Sequence, residues 1–352
     1  GKSVLAIKEL AKWASTKYKN KYYKAIYYTK NSTPRKCYEY MAARGDIEMM
    51  ARFKEIFPSQ VGIADNALKE NSVTLGLFDE AHRIQAKPFQ YHGKNLLSDL
   101  IHQSLVSVFF VDENQFVTTK DIGSIESIKA EALAQGSIFI DDDLTLDTQF
   151  RCNGSDGYMS FLDNLLNIKS NESQRLTPPQ DYDINICDNP QEMYEAVKAK
   201  NAENRARIVA GYCYDWNSQY DKSKFDVIIP YDGGVFEKKW NNPAKRELWA
   251  VEPNRFEEVG CIHTCQGMEF EYVGVIVGND LQYRNGKIVT NQSALSESDN
   301  TSKIRSCKDP AKADALIRNT YRVLLSRGMK GCYIYCEDVA LRQFLKELTS
   351  KQ

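Results

Sequence analysis

Three short strings in this chain combine the residue types that phosphate chemistry needs. The first is Gly1-Lys2-Ser3, followed at once by apolar positions at helical spacing over residues 4–14. It matches the tail of G-x-x-x-x-G-K-[ST]. In that motif backbone amides and a helix amino terminus cradle phosphates, the lysine reaches β/γ oxygens, and the hydroxyl binds Mg2+. The sequence starts inside the motif, so the reading is of a phosphate loop truncated at the amino terminus. A tripeptide alone is a weak signal, and its weight comes from Asp79-Glu80-Ala81-His82, which closes the apolar run 73–78. There Asp79 is suited to hold Mg2+ through water and Glu80 to polarise the attacking water, because a general base belongs near the metal but not on it. The third string, Asp112-Glu113-Asn114-Gln115, closes the apolar run 105–111 and offers Gln115 as an amide able to touch a γ-phosphate or its water. Taken singly, each string also reads as a solvated polar turn after a buried strand.

Other residues invite chemistry less firmly. Cys261-x-His263-x-Cys265 and Cys332-x3-Cys336 lack the paired C-x2-C spacing of structural zinc sites, so buried thiols are the simpler reading. Nine cysteines, an odd number without regular spacing, fit a reduced cytosolic protein. His82 reads equally as a coupling residue or as a hydrogen-bonded structural histidine. The tyrosines of residues 18–40 could stack bases, but tyrosine at period two is more simply a packed strand face.

The elements that position these strings follow an α/β rhythm. Strands are expected near residues 22–28, 73–78 and 105–111, with a helix over residues 35–57. Acidic residues just past apolar strands are typical of parallel sheets, whose sites form outside the strands' carboxyl ends. Polar residues 169–181 with Pro178-Pro179 read as a linker. Beyond it the rhythm restarts with strands near 182–187, 206–212, 273–277 and 331–336 and helices near 191–201 and 316–326. Residues 215–255 and 282–311 show little periodicity and read as long loops or insertions. The expected organisation is a first lobe over 1–168, the linker 169–181, and a second lobe over 182–352.

In order, these strings resemble superfamily 1 helicases. Gln149-Phe150-Arg151 looks like the motif whose arginine reaches the γ-phosphate from the domain junction. His263-Thr264-Cys265-Gln266-Gly267-Met268-Glu269-Phe270 resembles the motif that contacts nucleic acid and couples it to nucleotide, which assigns Gln266, Gly267 and Glu269. Asn319-Thr320-Tyr321-Arg322-Val323-Leu324-Leu325-Ser326-Arg327-Gly328 resembles the last motif, whose arginine finger would be Arg327. Arg322, about 140° around a helix from Arg327, reads as structural. Two arginines suit this chemistry because guanidinium groups stabilise charge spreading over the transferred phosphoryl oxygens. More narrowly, Q-G-M-E-F-E-Y-V-G-V-I-V-G and N-T-Y-R-V-L-L-S-R-G-M-K-G-C-Y-I-Y resemble the Schlafen-type DNA/RNA helicase-like domain, a group of mostly uncharacterised bacterial proteins, across essentially the whole chain.

The resemblance implies two RecA-like P-loop lobes with mostly parallel sheets. ATP and Mg2+ would lie in the cleft between them, and single-stranded DNA or RNA would be moved by hydrolysis. It also implies a nuclease domain upstream or in trans. A regulatory switch gating such a nuclease without translocation is the alternative. A small-molecule kinase would have no need of the second-lobe motifs. With 46 basic and 47 acidic residues, a nucleic-acid site must be a local groove rather than a wholly basic surface. No apolar run approaches the ~20 residues that span a bilayer, so neither a membrane partner nor a location outside the cytoplasm is expected.

Overall fold

The computed structural model describes residues 2–14, 16–18, 21–30, 35, 55–59, 63, 69–140, 144, 156–168, 176–201, 203, 205–241 and 249–350. The chain divides into two compact units, residues 1–116 with 120–148, and residues 117–119 with 149–352.

In the first unit, helix α1 (Lys2–Ala14) is followed by a short antiparallel pair, β1 (Lys17–Tyr18) and β2 (Lys21–Tyr22), and then by β3 (Ala25–Thr29). Strand β4 (Val73–Asp79), helix α2 (Leu96–Gln103), strand β5 (Ser104–Phe109) and helix α3 (Ile125–Ala134) complete it. The three longer strands form a parallel sheet in the order β3-β4-β5. Both faces of that sheet are covered, which is why its strands read as apolar runs rather than alternations. On one face Ala25, Tyr27, Leu75 and Leu77 pack with Ala6 and Leu10 of α1. On the other, Ile26, Tyr28, Val73 and Phe78 pack with Leu97 and Leu100 of α2 and with Ile128 and Ala132 of α3. Tyr27 and Tyr28 are therefore core residues, 1% and 2% exposed, and not a platform for bases. Most of the expected helix over residues 35–57 lies outside the described residues.

The second unit begins with α4 (Asp156–Leu165), β6 (Asp183–Ile186), α5 (Pro190–Ala199) and β7 (Ala206–Ala210). It continues with β8 (Val227–Tyr231), β9 (Gly234–Trp240), β10 (Glu258–Cys261), α6 (Ile262–Cys265), β11 (Phe270–Val277), β12 (Leu281–Arg284) and β13 (Lys287–Thr290). Helix α7 (Pro310–Leu325), β14 (Gly328–Cys336) and α8 (Val339–Thr349) close it. Seven strands make one sheet in the order β6-β14-β11-β7-β10-β9-β8, parallel throughout except for the antiparallel edge pair β8–β9. The expected α/β class with mostly parallel strands is what the chain forms.

Two expectations need correction. Residues 215–255 are not simply loops, because β8 and β9 form a hairpin that extends the main sheet. Asp226 secures its base by accepting from the backbone N–H and hydroxyl of Ser218 and from Trp240 N. Residues 282–311 likewise contain most of the β12–β13 hairpin, turned at Asn285 (φ 50°) and Gly286 (φ 78°). Residues 156–168 group with the second unit. The reason is a buried pair in which Arg322 of α7 binds Asp163 of α4, while Tyr158 donates to Leu325 O at 3.1 Å.

Candidate active site

The first unit gathers its chemical residues where the parallel strands end. Val73–Asp79 must be extended and doubly buried, so the first polar residues beyond it emerge at the sheet's carboxyl edge. Asp79 is 5% exposed, and its carboxylate accepts from Tyr27 Oη at 2.6 Å, from Glu80 N at 3.0 Å and from the hydroxyl of Ser3. Burial pushes this carboxyl above the ordinary aspartate range, and the adjacent Glu80 charge pushes it further; the three hydrogen bonds oppose both. The backbone then turns sharply. Glu80 lies in the left-handed region (φ 50°, ψ 43°), which costs a non-glycine residue about 1 kcal/mol. Ala81 N donates to Phe110 O at 2.9 Å and holds the turn against the end of β5.

Glu80 is 7% exposed, and its Oε2 lies 3.0 Å from His82 Nε2. The approach is close, but it is not aligned as a hydrogen bond to that oxygen, so we read it as a charge–dipole contact. The residues after β5 face this turn. Lys2 Nζ donates to Val111 O at 3.1 Å and stands 3.6 Å from Asp112 Oδ2, while the fully buried Gln115 donates from Nε2 to the same Oδ2 at 2.6 Å. Ser3, Asp79 and Glu80 form one set of contacts, and Lys2 and Gln115 a second set joined through Asp112. Gly1 and Arg151 lie outside the described residues.

Two parts of this site were not singled out from the sequence. Tyr27, one of the tyrosines read as either base-stacking or a packed strand face, has its hydroxyl brought to the aspartate by the parallel register that sets Thr29 opposite Asp79. Asp112 was quoted without a role, although it is the acceptor that Lys2 and Gln115 share.

A Mg2+ ion fits this chemistry. The Glu80 charge beside the buried Asp79 raises the proton affinity of Asp79, and a divalent cation would offset that repulsion directly. Among the described residues no group of three or more His, Cys, Asp or Glu side chains could hold a metal unaided. Mg2+ commonly takes one or two carboxylates and fills its remaining positions with water and substrate phosphate.

The second unit brings its motif residues together around one turn. Thr264 in α6 donates to Cys261 O, and Gln266, wholly buried, caps that helix. Gly267 has φ 82°, a conformation that strains any residue with a side chain. Glu269 is exposed. Arg327 is 1% exposed, and its guanidinium donates to Val323 O at 2.8 Å, Met268 O at 3.0 Å and Ser326 Oγ at 3.3 Å. Phe270 N in turn donates to Arg327 O at 2.9 Å. The Q-G-M-E loop and the Ser-Arg-Gly turn are therefore one bonded assembly. A side chain at Gly328 would collide with the Gly331 carbonyl, so this turn also depends on glycine. Helix α7 ends at Leu325, which places Arg327 beyond the helix rather than on its surface. Cys261 and Cys265 are buried, and burial pushes the Cys265 thiol up to about 12. No described helix is long and apolar enough to cross a membrane.

Comparison with known proteins adds two findings. A family model described as "Schlafen group 3, DNA/RNA helicase domain" matches residues 1–338. An uncharacterized protein of Saccharomyces cerevisiae is similar at 25% identity over 304 residues, covering 78% of this chain. The chain matches 65% of that relative's length.

Proposed function

We propose, from the premise that the chain belongs to the Schlafen group 3 DNA/RNA helicase-domain family, that it is an ATP-hydrolysing motor acting on single-stranded DNA or RNA. The observation that carries the ATPase reading is the cluster at the carboxyl edge of the first sheet. There Ser3, Asp79 and Glu80 are in direct contact, and Lys2 sits beside the loop that bears Gln115.

The roles follow from the chemistry of each group. Lys2 exchanges its Val111 and Asp112 partners for phosphate oxygens, which are stronger acceptors for an ammonium group. Ser3 and Asp79 hold Mg2+, which when bound supplies positive charge to the phosphoryl oxygens. Glu80 accepts the proton of the water that attacks the γ-phosphorus. Its strained backbone and enclosed position hold the carboxylate beside the metal-binding aspartate without making it a ligand. Gln115 reads the state of the γ-phosphate once its amide leaves Asp112. In the second unit, the loop of Gln266, Gly267 and Glu269 contacts nucleic acid. Its bond to Arg327 through the Met268 carbonyl couples that contact to the nucleotide cycle.

The test is steady-state ATP turnover by the full-length protein with Mg2+, with and without added single-stranded DNA and RNA. The motor reading expects turnover that rises at least severalfold with one of the polymers. Turnover indifferent to both would instead favour a nucleotide-gated switch. No turnover at all would refute the ATPase reading.

A further inference from the structure

His82 is 1% exposed and stands between the two strand-end turns of the first unit. Its Nδ1 accepts from the backbone N–H of Asp112 at 3.3 Å. That bond needs a lone pair on Nδ1, so the ring's proton is assigned to Nε2, the atom 3.0 Å from Glu80 Oε2. The ring meets Phe116 edge-on, with centroids 6.0 Å apart. Behind it, a side chain at Gly123 would strike the Ala81 carbonyl and approach His82 Cα at 3.1 Å. The backbone at Ala81 and His82 is thus closely packed, and the ring itself is enclosed. One nitrogen faces the carboxylate read as the general base, and the other is fixed to the backbone of the residue whose side chain binds both Lys2 and Gln115.

We propose that His82 is a positioning residue that orients the Glu80 carboxylate and locks it in register with the turn at residues 112–115. Displacement of Asp112, when Lys2 and Gln115 turn to a γ-phosphate, is then transmitted through Asp112 N and the imidazole to Glu80. The base is presented only when phosphate is in place. This rests on the ATPase reading of the same site and adds what sets the base's orientation.

The two halves of the bridge can be cut separately. In His82→Asn the side-chain oxygen stands near the position of Nδ1 and keeps an acceptor for Asp112 N, but the group facing Glu80 is lost. In His82→Gln the longer amide reaches the position of Nε2 and keeps that group. Steady-state ATP turnover of the full chain is measured for both variants beside nucleotide binding and thermal unfolding.

We expect His82→Asn to lower kcat by about 30-fold, part of the 10²–10⁴-fold that a positioned base supplies, with KM for ATP changed less than about threefold. His82→Gln should recover kcat to within about fivefold of the parent, which a purely structural histidine would not show. The proposal is overturned if His82→Asn turns over at the parental rate. It is also overturned if kcat is lost only in step with folding, or if His82→Gln is as slow as His82→Asn. Should the parent bind ATP with Mg2+ but not hydrolyse it, the ATPase reading itself fails and this inference falls with it. That outcome is visible in the parent alone, before any variant is compared.

Discussion

At the carboxyl edge of the first sheet, Asp79 and Glu80 lie side by side under cover, and the Glu80 charge makes that of Asp79 harder to hold. In the second unit, charge equally far from water is paired or hydrogen-bonded where it stands. Arg322 meets Asp163 through two nitrogens, and Arg327 gives its guanidinium to two carbonyls and a hydroxyl. The contrast separates two uses of a buried charge. A matched pair fixes packing, here α4 against α7. A pair of like charges, met by hydroxyls and an amide at Asp79 and by a histidine beside Glu80, instead favours a cation. The sequence motifs suggest roles for Asp79, Glu80, Arg322 and Arg327 but give none for Asp163.

The comparison breaks most readily at the matched pair. Arg322→Met should leave Asp163 buried without a counter-charge and cost about 3–5 kcal/mol, read by denaturant unfolding of the second unit. The double replacement with Asp163→Leu should recover most of that loss. If the single variant is neutral, the pair is not holding α4 in place.

Next in size is the metal-linked gain in the first unit. Mg2+ at about a hundred times its dissociation constant should stabilise that unit by about 2.7 kcal/mol, seen as slower hydrogen exchange of the β4 amides. Asp79→Asn should abolish the gain and, unlike Arg322→Met, raise stability in the absence of metal. A smaller loss is expected for Arg327→Ala, about 2 kcal/mol, from removing hydrogen bonds of a charged donor to Val323 and Met268 carbonyls.

The smallest effect concerns Asp280, whose carboxyl accepts from Tyr321 and is pushed up to about 6 by burial. Unfolded, it titrates near 4. Between those values the folded form binds more protons than the unfolded form, so stability falls as pH rises through that window. Lowering pH from 7 to 5 should therefore add roughly 1 kcal/mol around the end of β11, and Asp280→Asn should flatten that slope.

How legible was all this in the sequence? The strand ending at Asp79 could be placed because double burial makes it an apolar run with an abrupt polar end, and β5 because its apolar run stops shortly before Asp112. Helix α1 followed from its one apolar stripe. The two hairpins of the second unit were missed although signals were present. Asn285-Gly286 is the strongest short hairpin signal there is, and Asp232-Gly233-Gly234 stands between β8 and β9. The polar character of their flanks hid the alternation. The grouping of α4 with the second unit rests on Asp163 meeting Arg322, and the Arg327–Met268 bond spans residues far apart in the chain. Neither leaves a local signal. The left-handed turn at Glu80 was also illegible, since a glutamate there says nothing of φ.

The central claim is that the strand-end carboxylates of the first unit hydrolyse ATP, with Glu80 as the base. It is tested most directly by ATP binding and turnover of Glu80→Gln beside the parent protein, each with Mg2+. The geometry predicts ATP affinity preserved within about threefold and turnover reduced at least about 100-fold. Turnover that survives the substitution at the parental rate would contradict it.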